Sequence, residues 1–143
     1  MARRATSMWT RVTTCVLRVI AAHDVGRAIF PEALKGQIEG AVSMGMGFAL
    51  KEEFHPGVTT GFEQYRIPTA RDMPEVVTLL VEKGDPSAGL GAKGAAECAT
   101  VAVAPAILNA IADALGKRAY QLPATPARIV SLISSNPGVT ANA

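Results

Sequence analysis

A chain of 143 residues is long enough to form one domain with a core of its own. Hydrophobic residues make up 49% and charged residues 18%, a globular balance that argues against disorder. The net charge of +2 is too small to point to nucleic acid, and Cys15 and Cys98, far apart and without CxxC spacing, indicate neither a zinc site nor a disulfide framework, so a reduced, cytoplasmic setting is the default.

Arg3, Arg4, Arg11 and Arg18 all precede the first acidic residue, Asp24. This basic, Ser/Thr-bearing start has features of a targeting segment, but Arg18 interrupts its apolar stretch VTTCVLRVIAA, and residues 1–10 read as a disordered leader. No apolar run approaches the ~18 residues that span a bilayer, so no membrane association is expected. From Arg11 to Ala22 the β-branched residues Val12, Thr13, Thr14, Val16, Val19 and Ile20 predict a strand, ended by the turn residues Asp24 and Gly26.

Pro31 opens the longest predicted helix, PEALKGQIEGAVSMGMGFALKEEF, with Glu32 placed to complement the helix dipole. Leu34, Ile38, Ala41, Val42, Met46, Ala49 and Leu50 follow the helical three-and-four spacing. Gly36, Gly40, Gly45 and Gly47 run against it, each costing ~1 kcal/mol relative to alanine. Close packing against another backbone, against a sheet or against a large cofactor compensates such a cost.

HPGVTTG predicts a turn, and FEQYRIPTARDMPE an extended segment, because Pro68 and Pro74 forbid a continuous helix. EVVTLLVEKG, Glu75 to Gly84, reads as a strand and DPSAGLGAKG as a loop. VAPAILNAIADALGK reads as a helix with Pro105 in its first turn and Gly116 just past its end. LPATPARIVSLISS predicts a turn and a short helix with Thr125 as N-cap and Pro126 as the first helical residue, before a frayed NPGVTANA end.

At the seam between the second loop and its helix stands Glu97, behind Lys93, Gly94, Ala95 and Ala96. Small residues let a backbone approach a bulky ligand, and free N–H groups at such a turn can hold an anion. Two readings of Glu97 stay open on the residues alone: a first-turn carboxylate favoured by the helix dipole, or a functional group beside a ligand.

The succession AHDVGRAIFPEALKGQIEGAVSMGMGFAL, QYRIPTARDMPE, GAKGAAE and APAILNAIADALGKRAYQLPATPARI resembles the C-terminal end of the molybdenum-cofactor subunit in the xanthine dehydrogenase/aldehyde oxidase family. The likeness rests on the order and spacing of these motifs and runs from about Val19 to Val130. It implies a molybdenum hydroxylase, in which molybdenum on a pyranopterin dithiolene carries a water-derived oxygen, an oxo group and a sulfido group. A glutamate deprotonates that oxygen, the oxygen attacks an electron-poor carbon of an aldehyde or purine-like N-heterocycle, and hydride passes to the sulfido group. Electrons then leave through iron–sulfur clusters to FAD or another acceptor.

By the same resemblance the catalytic base falls on Glu97, the cofactor-facing loop on Lys93, Gly94, Ala95 and Ala96, and the pterin- or oxo-facing glutamine on Gln37. No residue is implied as a direct metal ligand. Three departures carry expectations. Ala96 replaces a glycine, which costs stability if the backbone there needs φ > 0. Phe30 replaces the asparagine that caps the long helix. Cys98 reads as a small buried cysteine.

The resulting fold class is α+β: a fragment of the molybdopterin-binding domain, with mixed strands, a long glycine-rich helix and two C-terminal helices. Residues 1–10 form the leader, 11–135 the C-terminal portion of the cofactor domain and 136–143 the tail. The family's subunits are several times longer, so activity is expected only with the remaining molybdenum-subunit segments, an iron–sulfur subunit and a flavin subunit as partners, acting on a small-molecule substrate. The cofactor is molybdopterin, plain or as its cytosine dinucleotide, with iron–sulfur clusters and FAD on other segments or chains. The alternative is a truncated, non-catalytic remnant or interaction fragment that binds no cofactor alone.

Overall fold

The computed structural model describes residues 14–134; the predicted leader, the first residues of the predicted opening strand (11–13) and the predicted tail lie outside the described residues. The elements run β1 (Arg18–Asp24), α1 (Pro31–Leu50), α2 (Phe62–Tyr65), β2 (Glu75–Val81), α3 (Cys98–Val101), α4 (Val103–Leu115) and α5 (Pro126–Ser134), with short 3-10 turns at Ala70–Asp72 and Gly89–Gly91. Mixed helix and strand in this order is the α+β class that the sequence predicts.

The two strands pair in parallel, from Arg18 opposite Glu75 to Asp24 opposite Val81. Parallel neighbours need a long crossover; here α1 and the segment after it supply it. Side chains alternate across the pair, so Val19 and Ala21 join Val76 and Leu80 against the core. Thr78 shares that face, and its buried hydroxyl has no hydrogen-bond partner among the described residues. The opposite face carries Ile20, Leu79 and Val81, which are 64%, 50% and 50% exposed. Parallel sheets are ordinarily covered on both faces. Among the described residues this one is covered on one.

The core is organised on α1. Ile38 and Val42 are fully buried, and Ala41, Met46, Ala49 and Leu50 extend their stripe toward Ala99, Val103, Ile107 and Ile111. Truncating a buried isoleucine such as Ile38 costs roughly 2–5 kcal/mol. Six of the seven apolar positions predicted from spacing are buried, and Leu34 is half-buried. Of the four glycines, Gly45 meets the Val103 side chain and Gly47 meets Glu52 and Pro68, which compensates those two. Gly36 and Gly40 meet nothing.

Several boundaries differ from prediction. Of the strand predicted from Arg11 to Ala22, the described part forms β1 only from Arg18, since residues 14–17 are irregular, and it continues past Ala22 through Asp24. The segment predicted as extended instead contains α2 and the Ala70–Asp72 turn, because each short helix fits before its proline and ends without it. Arg66 closes α2 in the left-handed region at φ 65°. α4 begins at Val103, as the sequence predicts, but a further short helix, α3, precedes it and is broken from it at Ala102: Pro105 has no N–H to give Val101, and regular bonding resumes where Ala106 N–H donates to Ala102 O at 3.1 Å. Phe30 gives α1 no side-chain cap, as expected from its replacement of asparagine. Gly116 ends α4 at φ 65°, and Thr125 Oγ1 accepts the Arg128 N–H at 3.4 Å, as the sequence predicts.

The expectation that no apolar run reaches membrane length is corrected. Cys98–Leu115 is 18 residues with mean hydropathy 1.7, long and apolar enough by composition alone to cross a membrane. Its many alanines keep that average high against a single acidic residue, Asp113, without a continuous run of large side chains. In the fold this stretch is two helices, and Val103, Ile107 and Ile111 of α4 turn inward to the core.

Candidate functional site

The loop carrying the predicted site residues is tied to the C-terminal ends of both strands. Asp24 turns the chain at the end of β1, where its Oδ1 accepts the Gly26 N–H at 3.0 Å. Gly26 then lies at φ +62° and bridges Ala92, with Arg27 N–H donating to Gly91 O at 2.8 Å and Lys93 N–H to Val25 O at 3.0 Å. A side chain on Gly26 would collide with Gly91 O and stand 2.9 Å from Lys93 N, so glycine is required both for the backbone angle and for the approach. Val25, 1% exposed, anchors this junction and donates its N–H to Val81 O at the end of β2.

Lys93 therefore does something its sequence position does not reveal: its Nζ pairs with Asp24 Oδ2 at 2.7 Å. That hydrogen bond, with the Gly26 N–H next in importance, holds the Asp24 carboxyl below its ordinary range. Gly94 follows, exposed and with open space on its Cβ side. Ala95 turns inward and is buried, whereas Ala96 is exposed. Ala96 has no positive φ, so the expected conformational cost of replacing glycine does not arise.

Glu97 caps α3 in the helical region (φ −73°, ψ −27°), and its carbonyl accepts the Thr100 N–H at 3.0 Å. Its side chain is exposed and takes part in no hydrogen bond or ion pair among the described residues. Two residues on, buried Ala99 seats α3 against α1. The glutamate is thus held between two anchors, the Lys93 pairing before it and the Ala95–Ala99 contacts around it. Cys98, expected to be buried, is exposed, because the inward positions of this short turn are taken by Ala95 and Ala99.

Gln37 lies on a different element. It is an exposed residue in the N-terminal half of α1, between Gly36 and Gly40, with no hydrogen bond among the described residues. The structure brings Lys93 to Glu97 together as one loop, and α1 packs against α3, but no hydrogen bond joins Gln37 to Glu97. The open faces of Gly36 and Gly40 leave space beside Gln37 that no side chain among the described residues fills.

Two grooves lie elsewhere. One of about 610 Å³ runs between residues 14–20 and the Val103, Ala106, Ala110 and Ala114 side of α4. Another of about 390 Å³ is bounded by Gly40, Met44, Phe48, Glu52 and Pro68. Neither is lined by Glu97 or Gln37, and both are mainly apolar. Among the described residues no group of three His, Cys, Asp or Glu could hold a metal ion. Sequence reasoning treated Asp24 only as a turn residue; the 69 positions between it and Lys93 carry no local signal of their pairing.

Comparison with known proteins bears on this arrangement. Residues 10–74 match the family model of the molybdopterin cofactor-binding domain. The chain is 39% identical over 124 residues to the gamma subunit of the 6-hydroxypseudooxynicotine dehydrogenase complex of Paenarthrobacter nicotinovorans, covering 81% of this chain and 16% of that protein. It is 34% identical over 118 residues to a putative xanthine dehydrogenase molybdenum-binding subunit of Escherichia coli, covering 78% and 16%. In fold it is similar to the aldehyde oxidoreductase of Desulfovibrio gigas (TM-score 0.84, 28% identity, 89% of this chain and 14% of that one). It is also similar to quinoline 2-oxidoreductase of Pseudomonas putida (TM-score 0.80, 30% identity, 87% and 17%). The chain spans about a sixth of the length of the curated relatives it matches. By sequence, by fold and by the order of its elements, it belongs to the molybdenum-binding subunits of the xanthine dehydrogenase/aldehyde oxidoreductase family.

Proposed function

We propose that this chain is the part of a molybdenum hydroxylase that supplies the catalytic base, and that it acts only when joined to the remaining cofactor-binding segments. The observation that carries the reading is Glu97: an exposed, unpartnered carboxylate on a loop anchored before and after it. A general base needs a carboxylate free to approach the proton it takes, on a support that does not let it wander. Glu97 accepts the proton of the water-derived oxygen nucleophile, and the substrate is an aldehyde or a purine-like N-heterocycle oxidised at carbon.

The residues present fit a molybdenum–pterin group. Gly36 and Gly40 leave an open approach, and the Gln37 amide offers both donors and acceptors to a pterin edge. Gly94 and the backbone through Ala95 and Ala96 offer a second low-relief surface next to the base. Lys93 contributes through its hold on Asp24. When bound, the molybdenum centre, as molybdopterin or its cytosine dinucleotide, supplies the two-electron redox chemistry. Iron–sulfur and flavin subunits carry the electrons onward.

Dependence on partner segments is supported by the surface. All four phenylalanines, Phe30, Phe48, Phe54 and Phe62, are 44–74% exposed, alongside the bare outer face of β1 and β2. Phenylalanine is among the residues most often buried, and an apolar surface of this extent marks an interaction face. The same surface favours the second reading, a remnant that associates without cofactor. Metal analysis separates them: after co-expression with partner segments and cofactor supply, the purified complex is expected to hold about one molybdenum per chain. A complex that forms without molybdenum sinks the enzymatic reading. The free thiols of Cys15 and Cys98 support placing the complex in the reducing cytoplasm.

A further inference from the structure

We infer that Asp24 is a positioning residue for Glu97, holding the loop of the base to the ends of both strands; the inference rests on the reading of Glu97 given above. Three separate segments meet on the Asp24 side chain. Its Oδ1 accepts the Gly26 N–H at 3.0 Å and the Lys83 N–H at 3.4 Å, which ties the end of β1 to the residues after β2. Its Oδ2 accepts Lys93 Nζ at 2.7 Å, which adds the loop. The two charged side chains are 39% and 32% exposed, so water screens the pair only in part.

Backbone bonds alone leave the loop with less support than it first suggests. Lys93 N–H to Val25 O and Arg27 N–H to Gly91 O fix residues 91–93, and the next buried contact is Ala95. The Lys93 side chain crosses back over this turn to Asp24, resisting rotation of the peptide that leads into Gly94. Gly94 has open space on its Cβ side, and among the described residues its carbonyl accepts only a long contact from Cys98 Sγ at 3.8 Å, so a loosened Lys93 is felt at Ala95, Ala96 and Glu97. For a proton-transfer group, a displacement of about 1 Å costs on the order of a hundredfold in rate. A residue that never touches the reacting atoms thereby sets how often the base stands in place.

The test compares Asp24→Asn, Lys93→Met and the conservative Lys93→Arg in the full chain and in the assembled enzyme. Asp24→Asn keeps an acceptor for the Gly26 N–H while removing the charge. Amide hydrogen exchange at residues 92–98 is expected to speed up about threefold to fivefold in Asp24→Asn and Lys93→Met, with α1 and α4 unchanged and Lys93→Arg near the parent. In the assembled enzyme kcat is expected to fall in those two variants while KM and molybdenum content hold. Unchanged loop exchange in both overturns the inference, as does faster exchange spread equally over α1 and α4. A looser loop with undiminished kcat also overturns it if Glu97→Gln still abolishes turnover. If Glu97→Gln is equally without effect, the reading of Glu97 itself falls.

Discussion

Val103 occupies the space that a side chain on Gly45 would need: a methyl placed there would lie 2.5 Å from the Val103 Cβ. This contact brings α1 and α4 together and turns one helix glycine from a defect into a packing device. Gly45→Ala gains up to about 1 kcal/mol of helix propensity but overpacks the contact by roughly 1–3 kcal/mol. The expected result is a net loss of stability, read as a lower urea midpoint.

Gly36 and Gly40 lie on the same helix and give the opposite expectation for the isolated chain. Nothing stands within 4 Å of a methyl placed on either, so alanine is expected to stabilise by about 0.5–1 kcal/mol each. In the assembled enzyme the same substitutions are expected to lower molybdenum content if, as proposed, the cofactor approaches over the open face beside Gln37. Higher chain stability with unchanged metal content would remove these glycines from the cofactor surface.

Glu97→Gln keeps size and hydrogen bonding but removes the base. In the assembled enzyme, turnover is expected to fall on the order of 10²–10⁴-fold, the usual worth of a positioned general base. Molybdenum content, measured on the same preparation, should stay at the parent level. Retained turnover sinks the catalytic assignment.

Acid stability is expected to depend on Asp72. Lys51 Nζ lies 2.5 Å from Asp72 Oδ1, while Thr69 donates both its N–H and its hydroxyl to Oδ2 at 2.8 Å. With the lysine contact as the largest cause, the carboxyl drops from 3.8 to about 2. A carboxylate depressed in the folded state stabilises fully above its unfolded value and loses that contribution as pH falls through its folded one. Stability should therefore decline between about pH 4 and pH 2, by roughly 1 kcal/mol from this group once solvent screening is allowed for. Asp72→Asn should flatten that part of a urea-midpoint profile against pH; an identical profile in the variant would exclude Asp72 as the cause.

Gly26→Ala tests the strand-end junction. It combines a strained φ of +62° with collision against Gly91 O, and two incompatible demands of this kind cost about 1–3 kcal/mol or more. A lower urea midpoint with faster exchange at residues 91–93 is expected. Parent-like behaviour in both would show that the junction has other ways to close.

Much of the fold was legible in the sequence because local chemistry is sufficient for it. Pro31 and the three-and-four spacing from Ile38 to Leu50 specify a helix and its buried face, Gly116 ends another, and Thr125 with Pro126 opens a third. The motif order also carried the family. The tertiary structure decided what depends on distance along the chain. Residues 69 positions apart, Asp24 and Lys93, meet because parallel pairing of β1 and β2 brings the segments that follow both strands to one edge. Two of four glycines are filled by neighbours and two are left open, since helix period says which residues share a face but not what lies opposite. Cys98 faces outward because Ala95 and Ala99 take the inward positions of a turn too short to bury more. For Glu97, sequence supplied a carboxylate at the seam of loop and helix, and packing left it exposed on an anchored loop, since position in space is a sum of contacts that no local pattern contains.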